Sequence, residues 1–439
     1  MSSVPTIYRR LFRREVVDIC LFIFIADVVT GVQTPVFPLF ATSLGASLAL
    51  LGLITSVLGL SRLVAAVPVG VLSDRLDRKT VLVGGMIMFA VSFAVYAVVP
   101  AAPWLIVPRA LQAVAMVATF PLGIAYIGDV VEARDRAAAI GLYTAAMGSG
   151  FAVGPLIGSW VGAADGYPAA YLAGSVLALG GAVFGAVRLV RRRTAGPHEP
   201  SLGRTLIDLG ALRDLARKPV MAMACVANVA MTLSMTGAIF TYFPVYARGV
   251  GIGTVTIGSL FAWRSIASAT GRLPMGPLSA RLPTTWTLAA VLLLEAGIDV
   301  AISRSSSPPP LTALLIVEGV GFGVFLVSAQ SAVAAAAGQG NRGAAVGVFW
   351  MAGSVGELFG PLALGVVAQT AGLFAVFQTV AAAVGFCAVV VGGLGIFSAR
   401  RSGLLAGEDS RQHGLVDIAA GHDAYHPSGS AESFHSGRH

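Results

Sequence analysis

The sequence predicts an all-α membrane protein of twelve transmembrane helices, arranged as two six-helix pseudo-symmetric halves. Three observations carry this. Apolar residues make up 56% of the 439-residue chain and charged residues 11%, whereas a soluble domain has about 25% charged. Long apolar runs recur through the chain, each close to the roughly 20 residues that cross hydrocarbon as a helix. The third observation is a register: a shift of 206 positions places Gly70, Leu72, Ser73, Arg75, Leu76 and Leu82 on Gly276, Leu278, Ser279, Arg281, Leu282 and Leu288. The same gapless shift places Arg136, Gly141, Gly150, Gly154 and Pro155 on Arg342, Gly347, Gly356, Gly360 and Pro361, and Gly31, Phe37, Pro38 and Gly45 on Gly237, Phe243, Pro244 and Gly251. Such self-similarity marks a duplication, and duplicated halves in a membrane point to transport.

The first half, residues 1–190, holds apolar spans at about 16–41, 48–73, 80–100, 103–128, 137–163 and 168–190. The first span follows Tyr8-Arg-Arg-Leu-Phe-Arg-Arg-Glu15 and is too long for a signal-peptide core, so it reads as an anchor. Residues 191–218 form a polar linker between the halves, in which Leu206 to Leu215 has the pattern of a short amphipathic helix suited to the membrane surface. The second half, 219–400, holds spans at about 219–247, 254–280, 284–303, 309–337, 343–370 and 373–398. Residues 401–439 turn polar, with five of the six histidines, and predict a disordered cytoplasmic tail.

Charge sets the orientation. Of the 29 Lys and Arg, only Arg248 and Arg304 fall in loops on one side, and Arg62, Arg109, Arg264 and Arg272 fall inside spans. The others lie at the termini or in loops on the opposite side, which places both termini in the cytoplasm of a cell membrane. This bias explains the net charge of +8 without a nucleic-acid partner. No metal or cofactor is expected: the tail histidines at 413, 422, 426, 435 and 439 match no compact ligand set, and Cys20, Cys225 and Cys387 lie in apolar spans as packing residues. With no histidine in the membrane and no Gly-x-x-x-x-Gly-Lys-[Ser/Thr] phosphate loop, a histidine-based intramembrane enzyme and an ATP-driven pump are both excluded.

Three segments carry chemistry. In Gly70 to Leu82, Gly70 permits a close helix approach, Asp74 suits the positive N-terminus of a neighbouring helix, and Arg78 can hold a second carboxylate. In helix 4, Arg109 and Gln112 are polar groups within a span; an intramembrane arginine faces a cavity or partner, or snorkels to the interface. In helix 5, Gly150, Gly154 and Gly158 allow backbone-to-backbone packing, and Pro155 removes a helix hydrogen bond.

These segments resemble the major facilitator superfamily over essentially all of residues 10–400. The resemblance implies that Gly70, Asp74, Arg75, Arg78 and Lys79, with Asp129 ending helix 4, form a cytoplasmic latch, in which Asp74 faces the start of helix 11 near residues 342–345 and Arg78 pairs with Asp129. Arg109-Ala-Leu-Gln112-Ala113 is similar to the family's Arg-x-x-Gln-Gly element, associated with substrate or proton coupling, with alanine in place of the glycine. Gly150, Gly154, Pro155 and Gly158 resemble the hinge of exporters and antiporters, which packs against helix 8; Ser159 stands where glycine is commonest. The resemblance also places helices 1, 4, 7 and 10 around a cavity. That makes Asp27 the first candidate for proton coupling and Glu318, the repeat equivalent of Gln112, the second, unless arginines hold both permanently ionised.

Arg109, Gln112, Phe37, Tyr126, Asn228 and Tyr242 are the expected cavity residues, an aromatic set suited to an uncharged or cationic amphipathic molecule. Glu295 and Asp299 are expected to form an ion-pair network with Arg264 and Arg272. Glu357 either lines the cavity or pairs locally near the hinge. The function these features imply is export of a small, largely apolar compound or drug in exchange for protons, by a monomer in the bilayer. The alternatives are a sugar or metabolite carrier, or a lipid-handling or receptor-like protein without coupled turnover.

Overall fold

The computed structural model describes residues 13–132, 135–191, 218–278, 282–337 and 342–422; side chains at 74, 137, 276–277, 342–344 and from 398 onward are outside the described set. The expected linker and its amphipathic segment therefore lie almost wholly outside the described residues. In chain order the helices are α1 (Arg14–Ser43), α2 (Leu48–Arg75), α3 (Arg78–Val98), α4 (Ile106–Val130), α5 (Arg136–Ala164) and α6 (Tyr167–Arg188). The second half begins with α7 (Pro219–Gly249), whose middle, Leu233–Tyr242, is wound as a π-helix. Then come α8 (Thr254–Arg272), α9 (Thr284–Ser303) and α10 (Pro308–Ala337). The final helical stretch, Arg342–His422, breaks at Gly372 (φ 86°, ψ 172°) and so contains two helices, α11 over 342–371 and α12 over 373–422.

Nine stretches among the described residues are long and apolar enough to cross a membrane, and the last, Ala345–Phe397, holds both α11 and much of α12. With α1 and α8 they make the twelve crossings. Outward-facing apolar side chains such as Trp160, Val187, Phe386 and Val389, each more than 60% exposed, are at home only against lipid. Two ends differ from the sequence expectation. α8 stops at Arg272 instead of 280, just before Pro274 and a short turn of helix at Met275–Leu278. The last helix continues to His422, past the start of the expected tail at 401; residues 423–439 of that tail lie outside the described set.

The duplication is visible in the turns. Gly45 and Gly251 close the α1–α2 and α7–α8 turns with φ of 82° and 89°; Gly166 and Gly372 do the same between α5 and α6 and between α11 and α12, at 89° and 86°. Each pair is related by the 206-residue shift, and each needs the left-handed backbone that glycine tolerates best.

Within the first half, α5 lies on α1 with nothing between the backbones. A Cβ on Gly150, Gly154 or Gly158 would come within 2.5 Å of the carbonyl oxygens of Phe24, Val28 and Val32 respectively. In the second half α11 lies on α7 in the same way, Gly356 against the carbonyl of Val229 and Gly360 against Leu233. The halves meet through the same device. Gly258 of α8 sits on the Pro155 carbonyl, and its repeat equivalent Gly52 of α2 sits on the Pro361 carbonyl; a Cβ on either would stand no more than 2.6 Å from that oxygen. These carbonyls belong to the two helix-bending prolines, so the hinge and the contact between halves are one feature.

Replacing Gly158 by leucine should force α5 off α1 and cost about 1–3 kcal/mol or more from overpacking, read as a lower melting temperature in detergent. Gly70→Ala, at a position where an added methyl would have no heavy atom within 4 Å, should leave the melting temperature unchanged.

Candidate functional site

Asp27 lies in the α1–α5 seam, 6% exposed. Its Cβ is 2.9 Å from where a side chain on Gly150 would begin, so only glycine at 150 leaves room for the acid. The Phe151 backbone and, from α8 in the other half, the charge of Arg272 act on its carboxyl electrostatically, while the hydrogen bond Arg272 makes is to the hydroxyl of Ser268 (3.2 Å).

Arg109 is elsewhere. Its guanidinium donates to Gln33 Oε1 at 3.2 Å and lies 4.0 Å over the Phe37 ring, a contact worth about 2 kcal/mol when desolvated. At 6% exposure it does not snorkel. Tyr96 joins this cluster by donating to Gln112 Oε1 (3.2 Å) and stacking on Tyr171 with ring centres 4.5 Å apart. The structure therefore gathers Arg109, Gln112 and Phe37 but not the other three expected cavity residues. Tyr126 bonds the main chain of Val190 through both N–H and C=O. Asn228 donates to the Phe349 carbonyl (2.7 Å). Tyr242 shares its hydroxyl proton between the carbonyls of Leu48 and Pro361, at 3.1 and 3.0 Å.

The carboxylates of the second half pair differently from the expected network. Arg264 goes to Glu318, both buried, and also lies over the rings of Phe240 and Phe322. Glu295 and Asp299 meet Ser234 instead, at 2.8 and 3.1 Å. The reason is reach: Arg264 has turned to α10, and Arg272, at the end of α8, acts on Asp27. Glu357 pairs neither locally nor with the hinge; Arg62 of α2 holds both its oxygens, at 2.9 and 2.7 Å. This ion pair joins the halves, and a separation of 295 positions gave no spacing signal by which to find it.

In the loop between α2 and α3, Arg78 is ion-paired to Asp129, while Arg75 is exposed and Lys79 half-buried. The Asp74 side chain and those at 342–344 lie outside the described set, so their expected contact is not described. Among the described residues nothing stands within 4 Å of where a Cβ on Gly70 would be, and its carbonyl accepts from Ser73 (2.8 Å). A residue missed in the sequence, Asp77, caps α3 by accepting from the Thr80 amide and hydroxyl at 3.0 and 2.6 Å. Burial alone would raise this carboxyl, but those two bonds, with Arg191 and Lys79 nearby, hold it below the usual carboxylate range. Its Asp-x-x-Thr spacing was a readable N-cap signal. The helix 5 glycines pack on α1 of their own half, while α5 also packs extensively against α8 of the other half, where Gly258 lies on Pro155 and Ser159.

Comparison with known proteins gives a consistent picture. The family model described as Major Facilitator Superfamily matches residues 19–262 and 247–417. An uncharacterized transporter of that type from Methanocaldococcus jannaschii is 23% identical over 346 residues, 78% of this chain and 88% of its own. Multidrug resistance protein 2 of Bacillus subtilis is 25% identical over 55% of this chain and 62% of its own. Among solved structures, the nucleoside transporter NupG superposes with a TM-score of 0.70 at 16% identity, covering 87% of this chain and 99% of its own. A bacterial homologue of the lysosomal transporter Spinster, in an inward-facing and occupied conformation, gives 0.72 at 15% identity, covering 88% of this chain and 96% of its own.

Because Arg264 and Glu318 are buried together, removing one partner strands the other. Glu318→Ala should destabilise by about 3–5 kcal/mol, while Arg264→Met with Glu318→Leu should recover most of that loss, both read by thermal unfolding in detergent.

Proposed function

This chain belongs to the major facilitator superfamily of membrane transporters, which are not enzymes, and from that membership we propose that it exports small, largely apolar organic compounds in exchange for protons. The observation that carries the proposal is Asp27, an acid buried in the α1–α5 seam against Gly150 and within the electrostatic reach of Arg272. When ionised, it attracts Arg272; when it takes up a proton, the attraction between halves weakens. Loading and release of that proton on opposite sides of the membrane then biases which way the halves tilt. A membrane potential of 100 mV adds about 2.3 kcal/mol per charge moved.

Two further features support this reading. Contacts between halves run from the α1–α2 and α7–α8 turns, where Leu48, Gly52, Tyr242 and Gly258 lie, as far along α2 as Gly59 and Arg62 on Glu357. Beyond Arg62, α2 exposes Leu63, Val64, Val67 and Val71. With both termini cytoplasmic by the positive-inside rule, the molecule is closed outside and open inside, ready to take substrate from the cytoplasm. Phe151 and Phe240, one from each half, hold their rings 5.8 Å apart, and the charge beside them, Arg264 over the Phe240 ring, is paired off by Glu318. This seat suits an uncharged or cationic amphipathic molecule. Arg109, Gln112 and Phe37 position α1 behind it, and Arg78 with Asp129 braces the cytoplasmic latch in which Asp74 and Arg75 take part. The protein works as a monomer in the cell membrane.

The test is transport in proteoliposomes across an imposed pH step, over a panel of dyes, drugs, sugars and nucleosides, the last because NupG shares the fold. Proton-driven movement of amphipathic compounds is expected, and Asp27→Asn should reduce it to the level of empty vesicles while melting normally. Transport that keeps its pH dependence in Asp27→Asn would overturn the assignment.

A further inference from the structure

The second half contains a proton-holding arrangement that Asp27 does not explain. Glu295 and Asp299 stand one turn apart on α9 and are 1% and 0% exposed. Between them lies the fully buried hydroxyl of Ser234, 2.8 Å from Glu295 Oε1 and 3.1 Å from Asp299 Oδ2. A serine hydroxyl has one proton to donate. That proton could be shared between the two oxygens, as the Tyr242 proton is between two carbonyls, only by leaving two ionised carboxylates side by side in the interior. Like charges that close in low dielectric favour one proton between them, and a proton on one carboxyl, donated to the Ser234 oxygen, frees Ser234 to donate to the other.

Among the described residues, the surroundings supply no unpaired cation in its place. From α8, Arg264 faces the group but is ion-paired to Glu318 of α10, and that glutamate adds a further negative charge beside the pair. From α7 come Ser234 and the Phe240 ring, over which Arg264 lies. From α12, Gln378 reaches only the Ser303 hydroxyl at the end of α9. Independently of the pair, Asp299 Oδ1 is buried with no hydrogen-bond partner, a polar atom left open in the interior.

The backbone is unusual at the same place. Ser234 belongs to the π-helical stretch Leu233–Tyr242 of α7, and such stretches often mark functional sites. Its N-terminal end lies against Gly360 of α11, and its C-terminal residue, Tyr242, bonds the Pro361 carbonyl at the contact between halves. What holds or releases Ser234 therefore acts on the hinge.

We propose that Glu295, Ser234 and Asp299 form a second proton-binding site, wholly within the C-terminal half, whose proton fastens α9 to the π-helical segment of α7. Binding converts one carboxylate to a carboxylic acid, whose O–H donates to Ser234 while Ser234 donates to the other carboxylate. Loss of the proton leaves two like charges around one hydroxyl, and α7 parts from α9. Its use in transport rests on the proton-coupled reading above, but the site itself does not, and the two are tested separately.

The experiment is infrared spectroscopy of the purified full-length protein in lipid at neutral pH, following the carbonyl stretch of protonated carboxylic acid and its shift in D2O. No substrate is needed. The band should be present in Asp27→Asn and absent when Glu295→Gln and Asp299→Asn are added to that same background. Absence of the band in Asp27→Asn, or its persistence in the triple variant, overturns the proposal. Asp299→Asn alone places an amide donor where the acid proton stood and should fold with a melting temperature no lower than the wild type; failure to fold would equally overturn it. Failure of proton-driven transport with the band intact would instead count against the role of Asp27.

Discussion

Everything in this molecule hangs on glycine lying directly against a carbonyl of the next helix. At Gly154 on Val28 and Gly158 on Val32 it fixes α5 to α1; at Gly356 on Val229 it fixes α11 to α7. In lipid the hydrophobic effect does not drive helices together, so close packing of small residues has to. The same contact, at Gly52 on Pro361 and Gly258 on Pro155, then joins the halves. The cohesion within a half and the joint between halves therefore use one kind of contact on the same two helices, α5 and α11. A motion that rocks the halves must pass through those two prolines.

Polar groups are placed around this frame according to the cost of burying them. Uncompensated charge in low dielectric costs several kcal/mol per ion, and nearly every buried charge has found an answer. Arg264 has Glu318, Arg62 has Glu357, and Asp18 has Arg188 at 2.9 Å. Arg109 is met by the amide of Gln33 and the face of Phe37. Two of these ion pairs stay inside a half and one crosses between halves. The electrostatic approach of Arg272 to Asp27 crosses as well, with the signs reversed: the first half offers an arginine to one seam and an acid to the other.

Much of the fold was legible because it is written in short-range patterns. Hydropathy placed the twelve helices, and the 206-residue register identified the halves and the Gly45–Gly251 turn pair. The equivalence of Gly166 with Gly372 obeys the same shift but became visible only through their shared φ. Pairings were less legible. An arginine reaches several angstroms in any direction, so Arg264 was equally compatible with Glu295, Asp299 or Glu318 until the rotation of α8 and α10 was known. The Arg62–Glu357 pair spans both halves, and no local spacing encodes it. Ser234 carried no signal in the sequence, since one serine among Thr232 and Thr236 differs from its neighbours only through the helix winding.

The two joints between halves are built alike but not equally fastened. At α2–α11 the hydroxyl of Tyr242 clasps Leu48 and Pro361, and Gln369 accepts from the Leu48 amide at 3.1 Å. At α5–α8 the Ser159 hydroxyl turns back to the Leu156 carbonyl of its own helix, 3.2 Å away, and leaves the contact with Gly258 to dispersion forces. One joint is thus held by hydrogen bonds of fixed direction and the other by the fit of two helix surfaces along their length, so a sliding displacement breaks bonds at the first and only shifts packing at the second.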